Sequence, residues 1–144
     1  MDNLGLTMDM QNLAYALTQV VHNFGAATVV GAAVFARWPQ SLSPEIRRIL
    51  AWLVLTGWMV QAASGAGFGA ISIAFYGRPP DIHGIAVAAL LVKVACAIAG
   101  FLLAAAYLRF SARWTDGGRD RAWNGLIALA ATALTAAAFL RWFS

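Results

Sequence analysis

The chain has 144 residues, which bounds it to one domain of ordinary size. It is 61% hydrophobic and 11% charged, with a mean hydropathy of +0.70. Soluble domains carry roughly 25% charged residues, so this composition excludes a soluble globular protein and predicts an integral membrane one. The net charge of +4 does not indicate nucleic acid, because the arginines lie in short loops rather than in an interleaved basic and aromatic patch.

The opening stretch, MDNLGLTMDMQN, is acidic and lacks the basic region of a cleaved signal peptide. A bilayer takes about 20 apolar residues per helix, and four stretches qualify: residues 13–36, 49–76, 83–110 and 122–140. The first ends at RWPQSLSPEIRR, where Ser43, Pro44 and Glu45 read as N-cap, first helical residue and first-turn acid of the next helix. The second ends at YGRPPDIHG, whose paired prolines enforce a turn. The third ends at RFSARWTDGGRDRAW, with Gly117 and Gly118 expected at the centre of the turn. The predicted fold is all-α: an up-and-down four-helix membrane bundle, with short loops making successive helices antiparallel neighbours.

Arginine placement predicts orientation. Arg37, Arg47 and Arg48 in the first loop and Arg109, Arg113, Arg119 and Arg121 in the third lie on one side; Arg78 and Arg141 lie on the other. The positive-inside rule then places both termini outside the cytoplasm. Trp38, Trp114, Trp123 and Trp142 fall at span ends, where interfacial tryptophans are expected.

Polar groups inside the spans carry the functional signal. Lys93 lies near the middle of the third span, about 15 Å from its outer start at 1.5 Å per residue. His22 lies about 14 Å into the first span by the same rule. An ionisable side chain at that depth marks function by default, and a mid-span lysine cannot readily snorkel to an interface. Tyr15, Gln19 and His22 share a helix face with Gly25 and Ala26, whereas Asn23 points about 100° away. The second span carries Gly57, Gln61, Gly65 and Gly69 at intervals of four, with Ser64 adjacent. Small residues at that spacing allow close helix approach. The expected site is an interior cluster of His22, Gln19, Gln61 and Lys93, opening away from the cytoplasm. Glutamine and serine here also suit plain helix–helix hydrogen bonding, and Cys96, the lone cysteine, reads as a small buried hydrophobe.

Three chemistries can use such a cluster. Haem b or a porphyrin takes an imidazole as axial ligand and a lysine as propionate partner or second ligand; His22 and His83 differ too much in depth to share one iron, which leaves His22 alone, with Lys93 or with a methionine. Copper takes His, Met and Cys, with Met8, Met10 and His83 as an outer docking site and His22 as a metal ligand further in. Proton or ion movement needs a continuous relay, and the spans offer no other buried carboxylate or basic residue to continue one. GxSxG, HExxH, CxxC and phosphate-loop motifs are absent, and GAGFGA at 65–70 lies inside a span with no preceding strand. An alternative of a different class is a non-catalytic anchor or assembly subunit, in which Lys93 meets a partner's carboxylate.

The stretch HGIAVAALLVKVACAIAGFLLAAAYLRF (83–110) resembles the lysine-bearing helix of the copper-resistance protein D family, and ALTQVVHNFGAATVVGAAVF (16–35) resembles its early histidine-bearing helix. The HemJ-type protoporphyrinogen oxidases have a similar four-helix layout, with a histidine on the first helix and a lysine on the third. The resemblance implies that architecture and singles out His22 and Lys93. The expected setting is a bacterial-type inner membrane, with the lipid bilayer, other membrane redox subunits or a second copy of the chain as partners.

Overall fold

The computed structural model describes residues 3–38 and 42–144, with side chains from Thr7 onward. Met1, Asp2, Pro39, Gln40 and Ser41, which belong to the acidic opening stretch and the first loop of the sequence reading, lie outside the described residues. Four long helices make up the fold: α1 (Asn3–Arg37), α2 (Pro44–Tyr76), α3 (Ile85–Phe110) and α4 (Asp116–Trp142). All four are long and apolar enough to cross a membrane, which makes the chain a multi-pass membrane protein.

Local chemistry sets the helix ends. Ser43 caps α2 by accepting from the Ile46 amide at 3.4 Å, with Pro44 in the first turn. Gly77 stops α2 in the left-handed conformation (φ 66°), returning its amide to the Ile73 carbonyl. Thr115 caps α4 by accepting from the Gly118 amide at 3.2 Å. Gly117 and Gly118 therefore belong to the first turn of α4 rather than to the centre of a loop. The threonine two residues earlier provides the start signal that the glycine pair obscures.

α1 packs on α2 and α4, and α3 packs on α4 and α2, so the helices form a ring with α1 and α3 across its diagonal. At one end, Asp120 of α4 takes Arg47 at 3.4 Å and Arg37 at 3.7 Å. Arg37 also donates to Asn124 at 2.9 Å, and Arg48 donates to the Leu108 carbonyl at 3.1 Å. The C-terminal ends of α1 and α3 and the N-terminal ends of α2 and α4 thus meet, bringing the arginines of the first and third loops together. The core lies toward this end and includes Val29, Val54, Trp58, Tyr107, Trp123 and Leu126. Trp123 is fully buried, with its ring 5.0 Å from that of Tyr107. Its expected place at the interface is corrected: Tyr107 offers an aromatic face inside the ring of helices. Trp38 and Trp142 are exposed at opposite ends of the bundle.

Large apolar side chains such as Phe24, Leu91 and Leu102 point outward, each at least 60% exposed. In lipid these contacts do not drive helix association, and close packing against small residues does. A Cβ at Gly57 would stand 2.7 Å from Val29 Cγ2, and one at Gly100 would stand 2.4 Å from the Trp58 indole. Gly65 and Gly69 have nothing within 4 Å of such a Cβ. The glycine row of α2 is therefore packed at Gly57 and open at Gly65 and Gly69.

Gly100→Ala should lower stability by about 1–3 kcal/mol through overpacking, whereas Gly65→Ala should be neutral or slightly stabilising. Thermal unfolding of the two variants in detergent checks the contrast; equal Tm values would contradict this packing.

Candidate functional site

His22, Gln61, Ser64 and Lys93 form a polar layer just beyond the core, one turn or two outward of Val29, Trp58 and Cys96 on their respective helices. Gly25 makes the layer accessible to α2. A Cβ there would lie 2.9 Å from both Gln61 Nε2 and Val60 Cγ1, so glycine lets α1 and α2 approach at this level. Gln61 donates to the His22 carbonyl at 2.5 Å, using the lone pair that the helical hydrogen bond leaves free.

The ring of His22 is held at both nitrogens. Nδ1 lies 2.6 Å from Ser64 Oγ, and Nε2 lies 2.7 Å from Lys93 Nζ. The serine decides the direction of both bonds. Ser64 Oγ sits 2.6 Å from the Val60 carbonyl, which can only accept, so the hydroxyl hydrogen goes there. Ser64 must then accept from Nδ1–H, because a hydroxyl has one hydrogen to give. This assigns His22 as the Nδ1–H tautomer, with the Nε2 lone pair receiving a hydrogen from Lys93. The chain of donors runs Lys93, His22, Ser64, Val60 carbonyl. Phe68 closes the outer side of the ring, edge-on with centroids 5.6 Å apart.

Lys93 reaches His22 across the diagonal from α3. Its ammonium has hydrogens left over, and no carboxylate pairs with it among the described residues. The described acids, Asp9, Glu45, Asp81, Asp116 and Asp120, lie toward helix ends or in loops.

The structure thus brings His22, Lys93 and Gln61 together and leaves Gln19 out. Gln19 is exposed and donates to Asn23 on its own helix at 2.7 Å. The i,i+4 pairing satisfies that amide locally, so no cross-helix contact is needed. His83 stands apart in the loop before α3, with its side chain 84% exposed and Nδ1 3.3 Å from Asp81. Met8 and Met10 are exposed on α1, and Cys96 is buried as a small apolar group. Among the described residues, no group of three or more His, Cys, Asp or Glu side chains converges as a metal site.

Two participants escape the sequence reading. Ser64 reads as helix glue, and Phe68 attracts no notice. Their signal is the spacing from Gln61, three residues and seven, which places all three on one helix face.

A haem or porphyrin fits this donor set in one respect and strains it in another. The hydrogen bond from Nδ1 to Ser64 leaves Nε2 free to ligate, the usual arrangement for a metal-bound histidine. Lys93 lies in the ligand direction, so a metal at Nε2 requires the lysine to turn aside; its four-carbon stem permits that. Gly65 and Gly69 keep the neighbouring face of α2 free of side chains. Compared with known proteins, the chain matches no family model, no curated protein and no solved structure.

In selectively labelled protein, the His22 nitrogens should show the Nδ1–H tautomer by 15N NMR, and Ser64→Ala should shift that signature. It should also cost about 1–3 kcal/mol by leaving Nδ1–H unpaired. An unchanged tautomer in Ser64→Ala would mean that the serine does not orient the ring.

Proposed function

We propose that this chain is an up-and-down four-helix protein of a bacterial-type inner membrane, with both termini outside the cytoplasm, that binds a carboxylate-bearing haem or porphyrin at the His22–Lys93 pair. Its role is that of a membrane redox subunit or of a protein acting on the porphyrin. The observation that carries the reading is the oriented His22–Lys93 contact with no carboxylate on Lys93. A positive side chain in an apolar span calls for an anion, and among the described residues none is at hand.

In this reading each residue has one task. Ser64 holds the imidazole in the tautomer that exposes Nε2. Lys93 would hold a propionate of the bound group, a charged acceptor that gives a stronger hydrogen bond than the neutral Nε2. Gln61 braces α1 against α2 through the His22 carbonyl. Gly65 and Gly69 leave room beside the ring. A bound haem would supply one-electron chemistry. Orientation follows the arginine cluster gathered at one end of the bundle, which the positive-inside rule assigns to the cytoplasm.

Absorption spectra of the detergent-purified protein, oxidised and then reduced with dithionite, test the assignment. A Soret band should be present, His22→Ala should abolish it, and Lys93→Leu should weaken cofactor affinity about tenfold. Folded protein that shows no band, and that takes up neither haemin nor protoporphyrin, would overturn the reading. Co-purification of a partner that is lost in Lys93→Leu would then point to the anchor-subunit alternative.

A further inference from the structure

At the end of the bundle opposite the arginine cluster, a cavity of about 370 Å³ opens beside the last turns of α2. Its walls include Tyr15 from α1, Phe68, Ser72 and Tyr76 from α2, and Arg78 and Asp81 from the following loop. Small-molecule sites commonly have this form: a few hundred cubic ångströms, aromatic walls and a small number of polar groups.

The polar groups are not interchangeable. Ser72 is occupied, donating to the Arg78 carbonyl at 3.0 Å and fixing the loop against α2. Asp81 Oδ1 contacts His83 Nδ1 at 3.3 Å, and the carboxylate is not within ion-pair distance of Arg78. Tyr76 Oη accepts from Gln11 at 2.5 Å, which leaves its own hydrogen without an acceptor among the described residues. The Arg78 guanidinium likewise has no carboxylate among them. Two donors, one of them cationic, are thus left without an acceptor among the described residues, beside rings. Tyr15 and Phe68 stack nearly parallel, with centroids 6.3 Å apart and planes 15° from parallel. Phe68 also meets His22 edge-on. Phe68 thus lines the cavity and also touches the His22 ring.

The geometry points to a second binding site here: the cavity holds a ring-bearing apolar carboxylate, with its acid on Arg78 and its ring against Tyr15 and Phe68. From this station the ligand passes Phe68 to reach His22 and Lys93. The passage rests on the functional reading above, whereas the binding site does not. Guanidinium first and ammonium second would give the acid a cationic partner at each stage.

Protoporphyrin IX, titrated by its own fluorescence into protein in lipid nanodiscs with empty discs subtracted, tests the site; its dimethyl ester is the uncharged control. The free acid should bind more tightly than the ester. Arg78→Ala should reduce affinity for the free acid about tenfold and leave the ester unchanged. His22→Ala should retain the component that depends on Arg78, and Phe68→Trp should slow the approach to the His22 site. Arg78 is exposed on a loop, so its replacement leaves helix packing intact. Unchanged binding of the free acid in Arg78→Ala would overturn the proposal. Loss of all binding in His22→Ala would remove the cavity site while sparing the His22 assignment. Binding that depends on Arg78 but has no His22 component would retain the cavity site and refute the function proposed for His22.

Discussion

A lysine set eight residues into an apolar helix needs an acceptor that hydrocarbon cannot supply. In this chain the acceptor is the Nε2 lone pair of His22, on the helix across the diagonal of the bundle. Much of the layer follows from that one bond. The imidazole must present a lone pair to the lysine, so its other nitrogen must carry the hydrogen, and that hydrogen needs a partner on α2. Ser64 accepts it only because its own hydrogen is sent back to the Val60 carbonyl.

The bond also explains where small residues are placed. α1 and α2 must approach closely for Ser64 and Gln61 to reach His22, and Gly25 and Gly57 permit it; either Cβ would collide with the facing helix. Below the layer, packing is dense and aromatic, with Tyr107 between Trp114 and Trp123. Above it, Gly65 and Gly69 face open space. The bundle is therefore asymmetric along its axis, and the polar layer marks the change. Such an arrangement suits a ligand arriving from the open end.

The sequence made the spans legible because hydrocarbon imposes a length and a composition on any helix that crosses it. It made His22, Lys93 and Gln61 legible because each is hard to leave unpaired in lipid. Gln19 misled for the same reason: its polarity is visible in the sequence, but its local bond to Asn23 is not. Trp123 shows the limit of reading tryptophan at a span end as interfacial, since a neighbouring aromatic pocket outweighs position. The role of Ser64 depends on how one hydroxyl divides its hydrogen between two candidate partners. Only the placement of three groups in space decides that.

Asp120 has a consequence for how the protein is made. Its carboxylate on the last helix clasps Arg37 and Arg47, which flank the first loop. Chain synthesis delivers those arginines long before their acid. Until α4 is made, both guanidinia lack this carboxylate, and an anion such as a phosphate can take its place. The contact between the first hairpin and Asp120 therefore has to wait for the last quarter of the chain.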